Sequence, residues 1–139
     1  NDLPRDYAPK RVIPLLNDLA ATGRLTAVRG NCEAEVDQMV LPFPVLADYC
    51  LLESAGHLIY ATHGHHFNED HLPPLHPGDV LLHGHTHIPC RTLRDGVYVL
   101  NPGSVSIPKA GSWHGYMTLE DGVFTWKTLS GDVRDTLRL

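Results

Sequence analysis

The chain lacks any basic run. Lys and Arg total 11 against 16 Asp and Glu, for a formal net charge of −5 over 139 residues. A nucleic-acid partner is therefore not expected. No apolar stretch approaches the ~18 residues of a membrane-crossing helix, so a membrane partner is not expected either. No signal peptide is visible. Cysteine is scarce: Cys32, Cys50 and Cys90 form no CxxC pair. An odd count without a framework points to a reducing compartment, and a cytoplasmic location is expected. An initiating Met is also missing. The opening Asn1-Asp2-Leu3-Pro4 reads like the middle of a loop, and an incomplete N-terminus is expected. No repeat, linker or low-complexity tract divides the chain. Its length fits one domain, residues 1–139, with a real core.

Histidine, by contrast, is plentiful: ten residues, all but His114 lying between His57 and His87. Their uneven spacing is what a transition-metal site needs, whereas a tag would be terminal and contiguous. Gly84-His85-Thr86-His87 follows the apolar run Val80-Leu81-Leu82-His83. Thr62-His63-Gly64-His65 follows Leu58-Ile59-Tyr60-Ala61, and Gly30-Asn31-Cys32-Glu33 follows Leu25-Thr26-Ala27-Val28-Arg29. Three expected strands thus end in Gly beside a candidate metal ligand. In α/β sheets ligands gather outside the carboxyl ends of strands, and a His/Asn cluster there predicts a metal site.

Hydrophobic spacing predicts a helix over 9–22, with Pro9 in its first turn and Gly23 at its end. Pro14 inside that pattern sits in the first turn or kinks the helix. A strand is expected at 24–29 and a short helix at 33–40. Strands at 47–53 and 57–62 would be joined by Ser54-Ala55-Gly56. Residues 64–79 form a Pro- and His-rich loop, long enough to suggest function. A strand at 80–83 leads into the histidine turn. Asp95-Gly96 and Asp121-Gly122 predict two hairpins, 90–94 with 97–100 and 115–120 with 123–128.

Taken in order, Gly30-Asn31-Cys32-Glu33, Thr62-His63-Gly64-His65, Gly84-His85-Thr86-His87 and Asn101-Pro102-Gly103-Ser104 resemble the calcineurin-like metallophosphoesterase superfamily. The similarity extends over nearly the whole chain and is greatest to its YfcE-type branch of small bacterial phosphodiesterases. The resemblance implies an α/β fold, the αββα metallophosphoesterase sandwich. It also implies phosphodiester hydrolysis by a water activated between two divalent ions, with manganese the metal it suggests. Asn31, His63 and His85 would ligate one ion and His87 the other. Two ions roughly 3.5–4 Å apart clamp a phosphate and lower the pKa of a water. His65 would act catalytically on the phosphate. Arg29, Asn101 and Ser104 would contact substrate, a small phosphodiester. A homo-oligomer is left open.

The chain departs from the family pattern in two places. Asp-x-His and a following Gly-Asp, expected ahead of the Gly-Asn turn, are both missing. Gly78-Asp79 comes too late to replace them. A strand-helix-strand unit and the bridging carboxylate would be missing with them, so the chain carries only part of the site. Cys32 stands where many relatives have a catalytic His, and it is expected as a small buried filler. An exposed polar turn is the competing reading of His85 and His87; a core histidine is that of His63. His66, His71 and His76 read as loop surface, Trp113 and Trp126 as packing. The alternative function is a non-catalytic protein-interaction scaffold with the same fold. An Asp-x-His and Gly-Asp encoded ahead of Asn1 would favour the enzyme.

Overall fold

A computed structural model describes residues 5–139 of the chain, so the loop expected at Asn1–Pro4 lies outside the described residues. Two helices come first, α1 (Pro9–Ala21) and α2 (Glu35–Val40). Eight strands follow: β1 (Tyr49–Ser54), β2 (His57–Thr62), β3 (Val80–His83), β4 (Cys90–Arg94), β5 (Val97–Asn101), β6 (Gly115–Glu120), β7 (Val123–Thr128) and β8 (Val133–Arg138). They form a five-stranded mixed sheet in the order β1-β2-β3-β5-β4 and a three-stranded sheet in the order β6-β7-β8.

Turn chemistry sets the hairpins. Ala55-Gly56, Asp95-Gly96 and Asp121-Gly122 all hold positive φ at both residues. That is the two-residue turn whose twist matches the flanking strands. Between hairpins the connections are longer, and β2, β3 and β5 run parallel. Parallel pairing places their C-terminal ends on one edge of the sheet. This edge positions the candidate site.

The two sheets stack through Ile59, Val80 and Leu100 of the large sheet and Phe124 and Trp126 of the small one, all at most 2 % exposed. The opposite face of the large sheet buries Leu81, Val97 and Val99 under Leu72 and Leu75. The long loop between β2 and β3 therefore roofs this face. Strand alternation accounts for the division: Val80 and Leu81 point to opposite sides, as do Val99 and Leu100.

Several expectations need correction or refinement. Residues 24–29 form no strand. Arg29 N–H donates to the Ala47 carbonyl at 2.7 Å, one bond where a strand would need a ladder. The helix over 9–22 is present as α1 and continues through Pro14 without interruption. β8 goes beyond the expected elements; its residues are mostly exposed and half of them are charged, so the apolar pattern of a strand is weak there. Trp113 and Trp126 do pack, Trp126 in the core and Trp113 against it.

Candidate metal centre

The register of β2 on β3 pairs Thr62 with His83. The residues that follow, His63 and Gly84, are therefore level, and Gly84 N–H donates to the His63 carbonyl at 2.8 Å. Two histidine-bearing turns are thus bonded side by side. Close approach needs glycine at position 64. Its φ is +111°, and a Cβ there would stand 2.6 Å from His83 Nδ1 and 3.0 Å from the Gly84 carbonyl.

His85 sits at φ +70° and His87 at +62°. Thr86 N–H donates to the Gly84 carbonyl at 2.9 Å across His85, the strained form of the γ-turn. A non-glycine residue in this region costs roughly 1–3 kcal/mol, and such strain gathers at functional sites. The alternating backbone rotates two near neighbours into different directions. His85 turns toward His63, while His87 Nδ1 donates to the Ile107 carbonyl at 3.0 Å.

Three donor atoms converge. His63 Nε2 lies 2.8 Å from Asn31 Oδ1 and 3.1 Å from His85 Nδ1. Protonated, Nε2 donates to both. Deprotonated, it adds a third lone pair to the same point. Two donors bonded at right angles to one ion at ~2.0–2.1 Å stand about 3 Å apart, so the spacing fits a divalent transition metal. Burial, followed by the neighbouring His85 and His65, pushes the His63 pKa down, against an opposing pull from Glu33. A neutral imidazole is the form a metal requires. Among the described residues, no group of three or more His, Cys, Asp or Glu converges in this way. The candidate donor set is therefore two imidazoles and one amide oxygen.

The other expected residues lie around this set. The His65 ring is exposed, 5.3 Å from that of His63 and 6.2 Å from that of His85. Arg29 is exposed at the head of the Gly30-Asn31 turn. Asn101 is fully buried. Its Nδ2 donates to the Gly84 carbonyl and to Thr86 Oγ1, both at 3.0 Å, and its Oδ1 accepts from Gly103 N–H at 2.8 Å. Expected to touch substrate, Asn101 instead holds the histidine turn from behind. Ser104 Oγ accepts from Ile107 N–H at 3.0 Å and so supports the carbonyl that orients His87. Cys32 is exposed, not a buried filler. Asp79 accepts from Leu58 N–H and His76 N–H at 3.0 and 3.1 Å, an anchor for the long loop.

Two residues at the site were not singled out from sequence. Glu33 folds back onto Gly30 with Oε2 buried and unpartnered, its charge felt at His63. His83 is 5 % exposed; its Nδ1 lies 3.0 Å from the Gly84 carbonyl, and its Nε2 is buried without a partner. Its place at the last position of a buried strand was the available signal.

Residues 6–121 match the calcineurin-like phosphoesterase superfamily domain. The chain belongs to this superfamily. It is 44 % identical over 125 residues to phosphodiesterase YfcE of Escherichia coli K12, covering 90 % of the chain and 67 % of that protein. A solved structure of Yfce, described as a phosphoesterase from E. coli, superposes with a TM-score of 0.91 at 40 % identity, over 99 % of this chain and 75 % of that one. A probable metallophosphoesterase of Bacillus subtilis, YsnB, is 30 % identical over 107 residues, covering 70 % of the chain and 59 % of that protein. The fold is the mixed α/β metallophosphoesterase fold, and the protein is a phosphoester hydrolase of a family that uses divalent metals.

Proposed function

We propose that the protein hydrolyses small phosphodiesters at the strand-end cluster, with Asn31, His63 and His85 holding one divalent ion and His87 serving a second. The observation that carries this is the approach of both Asn31 Oδ1, at 2.8 Å, and His85 Nδ1, at 3.1 Å, to His63 Nε2. A divalent ion there supplies charge neutralisation of the phosphate and a water of lowered pKa. The ligands are all neutral, so the full cationic charge stays available to an anionic diester. With Nδ1 committed to the Ile107 carbonyl, His87 keeps Nε2 as its ligating nitrogen.

Protein groups do the remaining work. His65, exposed beside His63, donates a hydrogen bond to a non-bridging phosphate oxygen. Arg29 adds positive charge at the rim. Asn101 and Ser104 fix the two turns that carry the histidines, so their contribution to substrate binding is indirect. Manganese is the metal proposed by resemblance; the donor set alone accommodates zinc, iron or nickel equally.

The deciding experiment measures turnover of bis(p-nitrophenyl) phosphate by the protein in excess manganese, before and after chelation. Turnover that needs added metal and disappears in Asn31→Ala supports the reading. Turnover unchanged in Asn31→Ala overturns the ligand assignment.

A further inference from the structure

We propose that the groove beside His65 binds a planar, uncharged aromatic substituent of the phosphodiester, its ring packed against Tyr60 and Phe67. This rests on the phosphodiesterase reading and adds a substrate class to it. The groove has a volume of about 430 Å³ and is lined by Asp48, Tyr49, Tyr60, Thr62, His65 and Phe67. Its walls are aromatic. Tyr49 and Tyr60 stack with ring centres 4.8 Å apart and planes 12° from parallel. Phe67 meets Tyr60 edge-on at 5.8 Å and 81°. Stacked and edge-on contacts are the arrangements that aromatic pairs prefer, and an incoming ring can extend either.

The groove ends at His65, the neighbour of the candidate metal centre. That imidazole forms part of the wall, and its ring centre is 5.3 Å from that of His63. A phosphate at the histidine cluster would thus direct one ester substituent past His65 toward this groove. The walls are also held firm. Tyr60 packs against the Leu81, Val97 and Val99 cluster, and Phe67 is braced by the rings of His66 and His71 at 4.7 and 4.9 Å. Tyr49 remains 50 % exposed at the groove, an apolar surface that a bound ring would cover.

Charge narrows the class further. Burial, then Tyr49, then the nearby Asp48 carboxylate raise the pKa of the Tyr60 hydroxyl. The carboxylate thus stands close to the ring site and disfavours a second anionic group there. A second cavity at His85, about 350 Å³, is lined by Glu69, Asp70, His83 and Thr86 and has no Phe, Tyr or Trp in its wall. The aromatic substituent is accordingly directed to the Tyr60 side.

The test compares three poorly reactive diesters of equal charge on the protein loaded with diamagnetic zinc: diphenyl, dicyclohexyl and diethyl phosphate. Dissociation constants come from nuclear magnetic resonance titration, following the ring protons of Tyr49, Tyr60 and Phe67. Diphenyl phosphate is expected to bind about tenfold tighter than either of the others. Tyr49→Ala and Phe67→Leu should each remove most of that difference, and Tyr60→Phe should keep it. Equal binding of diphenyl and dicyclohexyl phosphate overturns the proposal, because bulk rather than planarity would then decide. So does diphenyl binding that leaves the three rings unperturbed. Hydrolysis of bis(p-nitrophenyl) phosphate is measured in parallel. No hydrolysis together with selective diphenyl binding rejects the phosphodiesterase reading and leaves the groove standing.

Discussion

His85 and His87 occupy backbone conformations that side chains rarely adopt, and they do so two residues apart. Chain flexibility does not explain this, because Asn101 fixes Gly84 and Thr86 while the Ile107 carbonyl fixes His87. The bonds offset the strain and hold the imidazoles apart in direction. His85→Ala and His87→Ala are each expected to lower kcat on an aryl phosphodiester by about 10²–10³-fold, roughly 3–4 kcal/mol of lost electrostatic stabilisation. His76→Ala is expected to leave turnover unchanged, because its imidazole is exposed and it is the backbone N–H that bonds Asp79. Steady-state rates under saturating manganese, with folding checked by circular dichroism, decide between the two groups. Wild-type turnover in His87→Ala would remove that residue from the site. The same residues set an expectation for metal content. Neutral donors without a bridging carboxylate should retain close to one ion per 139-residue chain after gel filtration, read by elemental analysis. Two tightly held ions per chain contradict this.

At the scale of elements, the carboxyl ends of β2, β3 and β5 meet along one edge, and each is followed by a motif visible in the sequence. The strands after Leu58 and Val80 were legible because short apolar runs ended in Gly and His. The Asp-Gly hairpins were legible from turn chemistry alone. The 24–29 segment misled because a short run ahead of a Gly-Asn turn reads like the other strand ends, whereas a strand also needs a ladder of bonds and the segment shows the single Arg29–Ala47 bond among the described residues. The role of Asn101 was not legible either, because its bonds run to Gly84 and Thr86, a separation that no local pattern encodes. Glycine 64 belongs to this scale, since it lets two turns touch. Gly64→Ala should destabilise the protein by roughly 2–3 kcal/mol, combining backbone strain with contact against His83 and the Gly84 carbonyl. Gly23→Ala provides the comparison: φ is +71°, but nothing lies within 4 Å of the added carbon, so the cost should stay near 1–2 kcal/mol. Urea unfolding of the two variants separates clash from strain. Equal losses would mean that the turns can part without penalty.

Across the whole molecule, the two stacked sheets bring the candidate metal centre to one edge of a chain whose net charge is −5. What happens at that edge depends on how a leaving group departs. The position after Asn31 is Cys32, an exposed thiol and not an imidazole. A thiol is a weak hydrogen-bond donor and holds a proton on a departing alkoxide poorly, and loss of a general acid typically lowers rate by ~10²–10⁴-fold. A phenolate leaves with little protonation, so an aryl ester escapes most of that loss. The aromatic groove beside His65 favours the same substrates through binding. A diester also brings one negative charge past Asp48 and Glu33, whereas a monoester dianion brings two. The protein is therefore expected to show a higher kcat/KM for bis(p-nitrophenyl) phosphate than for p-nitrophenyl phosphate, by at least about tenfold. It should also turn over an alkyl diester far more slowly than either. Cys32→His is the informative variant, because restoring an acid should raise the alkyl diester rate more than the aryl one. Initial rates for the three esters, with and without that substitution, measure both effects. A monoester preference at saturating metal, or a uniform effect of Cys32→His on aryl and alkyl substrates, would show that leaving-group protonation does not govern this site.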